Sequence, residues 1–336
     1  MFFAHVKNSP GKSLIMKILY QLILLFSFVN CSTVQSAESG PFSGLITDLS
    51  IDVQGEDREY HLFLPDQPNG AGVVFLFHGH SGSSDQIIGN DGRKKPYNVW
   101  LSIAERDNLI LVIPNGNKGS KGKRGWNDCR KDVATNPNSD DVLFVSTLID
   151  HILTEYKADE KRVYALGTSN GGHMTQRLAV EIPHKLAAFG SVVSSQTLNN
   201  NCIDKELPIS ALFMNGTEDT FILYDGGAII SGRGEVLSTE ATVAFWVERN
   251  QTDTTPEKKV FPDLNRRDNS TVEKYHYKNG VNNTEVVLYK VIGGGHTEPS
   301  FSQRYSRIWL RVVGAQNGDI ELANQVWSFF KDKSRS

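Results

Sequence analysis

The 336-residue sequence has only three cysteines and almost no net charge, with 35 Lys and Arg against 38 Asp and Glu. Near-neutrality removes the electrostatic case for nucleic acid as a partner, which would require a concentrated excess of cations. No apolar run of eighteen residues occurs beyond the N-terminus, so no stable membrane span is expected in the processed chain. No internal repeat is visible, which excludes solenoids and propellers. The glycine-rich stretch "GTSNGGHM" (167–174) is not followed by Gly-Lys-Ser/Thr, so it is not a phosphate-cradling loop. Its glycine spacing does not match a dinucleotide fingerprint either. His78 and His80 resemble a metal pair but have no third ligand cluster, and no metal or cofactor is expected.

The N-terminus carries a different signal. Lys17 precedes a short apolar core, 18–29, and small residues follow at 32–37. That is the layout of a secretory signal peptide, too short to span a bilayer comfortably. Residues 1–37 are therefore read as a leader, with Met16 as an alternative start, and the mature protein as extracellular or periplasmic. Cys31 leaves with the leader, and Cys129 and Cys202 remain. In an oxidising compartment they form one disulfide; two buried thiols are the other reading.

Within 41–334 no linker divides the chain, and one domain is expected. Residues 41–58 read as an approach segment. Apolar runs at 60–65, 71–79, 109–116, 162–166, 186–195, 209–216 and 284–294 read as strands. Amphipathic stretches at 99–108, 140–158, 171–182, 238–250 and 319–332 read as helices, with Asp140 and Asp141 suited to the N-terminus of the second. Strands alternating with helices predict an α/β fold with a mostly parallel central sheet and helices on both faces.

The polar Ser169 stands between glycines where a strand turns into a helix, which fits a nucleophile raised on a sharp turn. A serine needs a base, and the base an orienting acid. Asp219 follows the strand 209–216, and His296 follows three glycines after the strand 284–294. The order Ser169, Asp219, His296 is the one this fold uses. Glu218 is a second candidate acid. Backbone N–H groups of Asn170 and His80 are candidates for the oxyanion hole. His173, four residues past Ser169, reads as a packing residue. The loop holding Lys118, Lys121, Lys123, Arg124, Arg130 and Lys131 reads as solvated, with Trp126 in it as a ring able to stack on substrate.

The blocks "HGHSGS", "GWNDCR", "SDDVLFVSTLIDHI", "RVYALGTSNGGHM", "NGTEDTFILYDGG", "AFWVERN", "VVLYKVIGGGHTEPS" and "VWSFFKD" occur in the order of the polyhydroxybutyrate-depolymerase-like esterases. The sequence resembles that family, which includes feruloyl and acetyl-xylan esterases, over about residues 55–332. The resemblance implies an α/β-hydrolase fold with Ser169 as nucleophile, His296 as base and Asp219 as its orienter. Two positions depart from the family: Glu298 where relatives carry tryptophan, and Cys129 where they carry glycine. Both are expected near the mouth of the site, where Glu298 would disfavour anionic substrates. The expected activity is a secreted serine carboxylesterase acting on feruloyl or acetyl esters of plant polysaccharide. The alternatives are a polyhydroxybutyrate or short-chain polyester depolymerase, a secreted serine peptidase, and a non-catalytic binding module.

Overall fold

Runs of five to seven buried residues make the centre of a ten-stranded sheet. In the computed structural model, which describes residues 42–90 and 96–335, these are β3 (Gly72–Phe77), β4 (Leu109–Pro114), β5 (Val163–Thr168), β6 (Ala188–Val192) and β7 (Ser210–Gly216). The leader expected over 1–37, with Met16 and Cys31, lies outside the described residues. From Gly44 onward the chain forms one compact unit.

The strand order is β1-β2-β4-β3-β5-β6-β7-β12-β11-β10, where β1 is Leu45–Val53, β2 Glu56–Phe63, β10 Glu257–Val260, β11 Thr271–Tyr277 and β12 Val286–Ile292. β3 to β7 and β12 run parallel, while β1, β2, β10 and β11 pair antiparallel with their neighbours. β8 (Gly227–Ala228) and β9 (Glu235–Val236) form a separate small hairpin. This is an α/β-hydrolase fold.

Both faces of the sheet are covered, which is why the parallel strands read as unbroken apolar runs. Phe75, Phe77, Ala165 and Phe213 pack with Phe144 and Leu148 of α3 (Asp141–Tyr156), Met174 of α4 (Asn170–Glu181) and Trp246 of α5 (Thr239–Asn250). Their alternates face the other way. Tyr164 stacks on Phe330 of α7 (Leu322–Phe330) with ring centroids 5.0 Å apart, on the side where Trp100 of α2 (Val99–Asp107) is also buried.

Two expectations need correction. Residues 41–58 contain β1 and the start of β2. β1 is mostly exposed and interrupted by a bulge between Ile46 and Leu49, so its sequence carries no clean two-residue period. β10 and β11 were not foreseen, because β10 is charged and fully exposed and β11 mixes charged and aromatic residues that are only partly buried.

The two aspartates at the start of α3 divide the work assigned to both. Asp140 caps the helix, its Oδ1 accepting the Leu143 N–H at 3.0 Å. Asp141 is fully buried and accepts from Arg58 Nη2 at 2.6 Å, the Asn127 N–H at 2.7 Å and Ser139 Oγ at 3.1 Å. It thereby ties β2 to the long loop before α3. Asp140→Ala is expected to cost about 1 kcal/mol, read as a lower urea midpoint.

Candidate active site

The turn between β5 and α4 holds Ser169 at φ 54°, ψ −120°, an uncommon conformation for a residue with a side chain. Its N–H donates to Val192 O at 2.8 Å, which pins the turn to β6. The flanking glycines are a matter of space. A Cβ on Gly167 would lie 2.2 Å from Gly171 O, and one on Gly171 would lie 2.3 Å from Phe77 O. No residue with a side chain fits either place.

His296 follows β12, and Asp219 follows β7, its parallel neighbour in the sheet. His296 Nδ1 lies 2.7 Å from Asp219 Oδ2. Asp219 is buried, and its Oδ1 accepts the N–H groups of Phe221 and Ile222 at 2.8 and 2.9 Å. With one oxygen held by the backbone, the other is aimed at the imidazole. Phe221 also stacks on the His296 ring at 5.1 Å. Glu218 is exposed and makes no such contact.

Ser169 and His296 line one cavity of about 990 Å³, with His80, Asn170, His173 and Glu298. Among the described residues, neither the His80 nor the Asn170 amide has a backbone partner, and both residues border Ser169 in the cavity wall. A hydroxyl, a carboxylate-oriented imidazole and two unengaged N–H groups in one cavity can carry out acyl transfer.

Trp126 does not belong to that wall. It is fully buried, its Nε1–H donates to His78 O at 2.8 Å, and its ring packs edge-on against Phe77. A ring without exposed surface cannot stack on substrate, so the expected substrate-binding role is withdrawn. The loop is held instead by Asn170: its Oδ1 accepts the Trp126 N–H at 2.8 Å, and its Nδ2 donates to Asp128 Oδ2 at 2.6 Å. That gives the Asn170 side chain a role that the sequence, read only for its backbone N–H, did not announce.

Two other expectations also change. Glu298 lines the cavity but is buried, accepting from Thr168 Oγ1 at 2.5 Å and from the Tyr305 hydroxyl. It braces the residue before Ser169, with both carboxylate oxygens engaged. His78 Nδ1 lies 2.8 Å from Gly79 O and its Nε2 accepts the Gly116 N–H at 3.0 Å, so both nitrogens are committed to loop structure. The basic loop is not simply solvated, because Lys121, Lys123 and Arg130 line the cavity. The opposite rim is apolar and was not foreseen. There α6 (Arg307–Val313) exposes Ile308, Trp309 and Val312. Cys129 and Cys202 are joined in the expected disulfide, with Cα atoms 5.2 Å apart.

Burial, then the nearby Arg233, Arg130 and Lys123, push the His80 imidazole down to about 4. Burial, with Arg130, also holds His173 well below the ordinary histidine value of 6.5. Both rings are therefore neutral when folded but take up protons in the unfolded chain as pH falls below 6.5. The unfolded state then binds more protons, so stability falls as pH drops from 6.5 toward 4. A urea midpoint lower at about pH 5 than at about pH 7.5, with a flatter profile in His173→Gln, is expected.

No family model matches the chain. A putative esterase, NocK, of Nocardia uniformis subsp. tsuyamanensis is 26% identical over 297 residues, covering 84% of this chain and 82% of that protein. A probable feruloyl esterase C of Aspergillus niger is 27% identical over 179 residues, 52% of this chain and 60% of the relative. A bifunctional acetylxylan esterase/xylanase of Neocallimastix patriciarum is 28% identical over 51% of this chain and 23% of its own length. Among solved structures, an acetyl xylan esterase from Aspergillus awamori superposes with a TM-score of 0.51 at 13% identity, covering 85% of this chain and 98% of that one.

Proposed function

Starting from a chain that is a carboxylic ester hydrolase of the α/β-hydrolase fold, we propose that it is a secreted serine esterase acting through an acyl-enzyme on feruloyl or acetyl esters of plant polysaccharide. The observation that carries the mechanism is the 2.7 Å bond between His296 Nδ1 and Asp219 Oδ2, beside the cavity that Ser169 also lines. That bond fixes the tautomer with Nε2 unprotonated, ready to take the Ser169 proton. Ser169 Oγ attacks the ester carbonyl, and the N–H groups of His80 and Asn170 receive the negative charge developing on its oxygen. His296 returns the proton to the leaving alcohol, and a water, activated by the same imidazole, releases the acid.

The substrate class rests on the relatives named as feruloyl and acetylxylan esterases, and on a cavity large enough for an aromatic acyl group beside a sugar. A second reading, a depolymerase of short-chain polyester, draws on the apolar rim of Ile308, Trp309 and Val312. Methyl ferulate, acetylated xylan, p-nitrophenyl acetate and hydroxybutyrate oligomers, tested side by side, separate the two. Cleavage of the sugar and cinnamoyl esters is expected, and its loss when a fluorophosphonate labels Ser169. Rapid clearing of hydroxybutyrate polymer without action on sugar esters favours the second reading. Export is tested by sequencing the mature N-terminus, which is expected within residues 32–38. Retention of Met1 ends that part of the proposal. Among the described residues no helix is long and apolar enough to cross a membrane.

A further inference from the structure

The cavity beside Ser169 has two unlike walls. One is apolar, from Phe221, Ile222, Ile229 and Ile230 to Ile308, Trp309 and Val312. The other is cationic and is assembled from segments about a hundred residues apart: Lys121, Lys123 and Arg130 from the loop before α3, and Arg233 from the turn between β8 and β9. Among the described residues Glu298 is the only carboxylate lining the cavity, and its oxygens are taken up by Thr168 and Tyr305.

The charges on the cationic wall are not all spent internally. Arg130 is neutralised by a bidentate pair with Asp128, Nε to Oδ1 at 2.9 Å and Nη2 to Oδ2 at 2.5 Å. Its Nη1 donates to Arg233 O at 2.6 Å and so holds the neighbouring arginine in place. Arg233 itself bonds only neutral oxygens, Thr135 Oγ1 at 3.3 Å and Asn136 Oδ1 at 2.9 Å. Among the described residues no carboxylate comes within ion-pair distance of Arg233, Lys121 or Lys123. Half-buried Arg233 thus carries its charge without a carboxylate to answer it, beside the exposed Lys121 and Lys123, which leaves the wall with a net positive field.

Unpartnered polar atoms lie on the same wall. His173 is buried to 3% exposure, lines the cavity, and has no hydrogen-bond partner on either ring nitrogen. Its Nδ1 lies 3.8 Å from Asp128 Oδ2, beyond hydrogen-bond reach. His80 Nδ1, also buried, is likewise unpartnered. A buried imidazole without a partner is rare enough to point to a ligand that completes it. Both rings stay uncharged at neutral pH, so they can add hydrogen bonds without adding to the cationic repulsion.

Resting on the esterase reading and refining its substrate, we propose that this wall is a carboxylate subsite: the preferred ester carries a second, ionised carboxyl group, held by Arg233 and Lys123, while its apolar part lies against the opposite wall. The carboxylate belongs either to a uronic acid on the alcohol side, as in an acidic polysaccharide, or to a dicarboxylic acyl group. The chemistry recognised is the same. Glu298 is buried, with one oxygen accepting from Thr168 Oγ1 and the other from the Tyr305 hydroxyl, so neither oxygen is placed on Arg233 or Lys123.

Two matched pairs test this. On the acyl side, 4-nitrophenyl hydrogen adipate is compared with 4-nitrophenyl hexanoate. On the alcohol side, acetylated xylo-oligosaccharides are compared with and without a glucuronosyl branch. In at least one pair the anionic member is expected to have the higher kcat/KM by about tenfold, mainly through KM, and that pair identifies where the carboxylate sits. Raising salt to about 1 M should shrink the ratio. Arg233→Gln and Lys123→Gln should each bring the ratio toward one, and Arg233→Lys should restore part of it. Lys123 is exposed, so its variant tests the subsite without disturbing the fold. Ratios at or below one in both pairs, or variants that lower both members of a pair equally, overturn the proposal. Calorimetric binding of the glucuronosyl oligosaccharide and of adipate to Ser169→Ala keeps the two readings apart. Binding weakened by Arg233→Gln in a protein whose Ser169-containing form cleaves no ester upholds the subsite and removes the esterase reading. Ester cleavage with ratios of one and no binding does the reverse.

Discussion

Ser169→Ala is expected to lower kcat/KM for p-nitrophenyl acetate by roughly 10⁴–10⁶-fold, with the melting transition essentially in place. His296→Ala should lose a comparable factor, because the nucleophile and its base act as one unit. Asp219→Asn should lose somewhat less, about 10⁴-fold, since it spoils the tautomer while keeping the position of the ring. Ser169→Gly adds a structural test. The turn holds a side-chain-bearing residue at φ 54°, ψ −120°, so glycine should be equally inactive yet no less stable than alanine there. Activity above about 1% in Ser169→Ala, after excluding contamination by titration with a fluorophosphonate, would place the chemistry on another residue.

Reducing the bond between Cys129 and Cys202, which are 73 residues apart in sequence, should destabilise the protein by about 4 kcal/mol in the chain-entropy treatment. For a domain of this size that lowers the melting temperature by roughly 7–10 °C. The bridge also anchors the segment holding Asp128 and Arg130 to residues 199–202, where Arg130 and Asn200 form an isolated β-bridge. Loss of the covalent tie should therefore raise KM on substrates that reach the cationic wall before it lowers kcat. Quantitative thiol labelling of the native, unreduced protein would remove the premise, and an unchanged melting temperature in Cys129→Ser/Cys202→Ser would remove the magnitude.

What was legible in the sequence follows from how strongly one environment dictates each residue. Strands covered on both faces must be apolar throughout, so β3 to β7 stood out as runs. The placement of Ser169, Asp219 and His296 just past strand ends was readable, with glycine spacing set by backbone crowding. Trp126 was misjudged for the opposite reason. An aromatic in a polar loop is compatible with exposure or burial, and only the bonds from Asn170 and to His78 O decide which. The burial of Glu298 was not legible, since nothing local announces the Thr168 and Tyr305 hydroxyls that close around it. The cationic wall was legible only in part: Lys121, Lys123 and Arg130 stand together in one loop, but Arg233 joins them from 103 positions beyond Arg130. Strands β10 and β11 were hidden by their own charges.

Those charges have a consequence for how molecules meet one another. A ten-stranded sheet that is not closed into a barrel ends in two rows of unpaired backbone groups, a template on which another copy can add strands without limit. At one end β10 offers Glu257-Lys258-Lys259, fully exposed, with Lys258 paired to Glu273 and Glu257 to Lys278 across β11. A second copy docking there would bring its lysines against these and strip water from both. At the other end the irregular register of β1, with Asp48 at φ 58°, breaks the straight ladder that an incoming strand would need. One edge is closed to edge-to-edge association by charge and the other by shape, so a large open sheet can stay dispersed at high protein concentration.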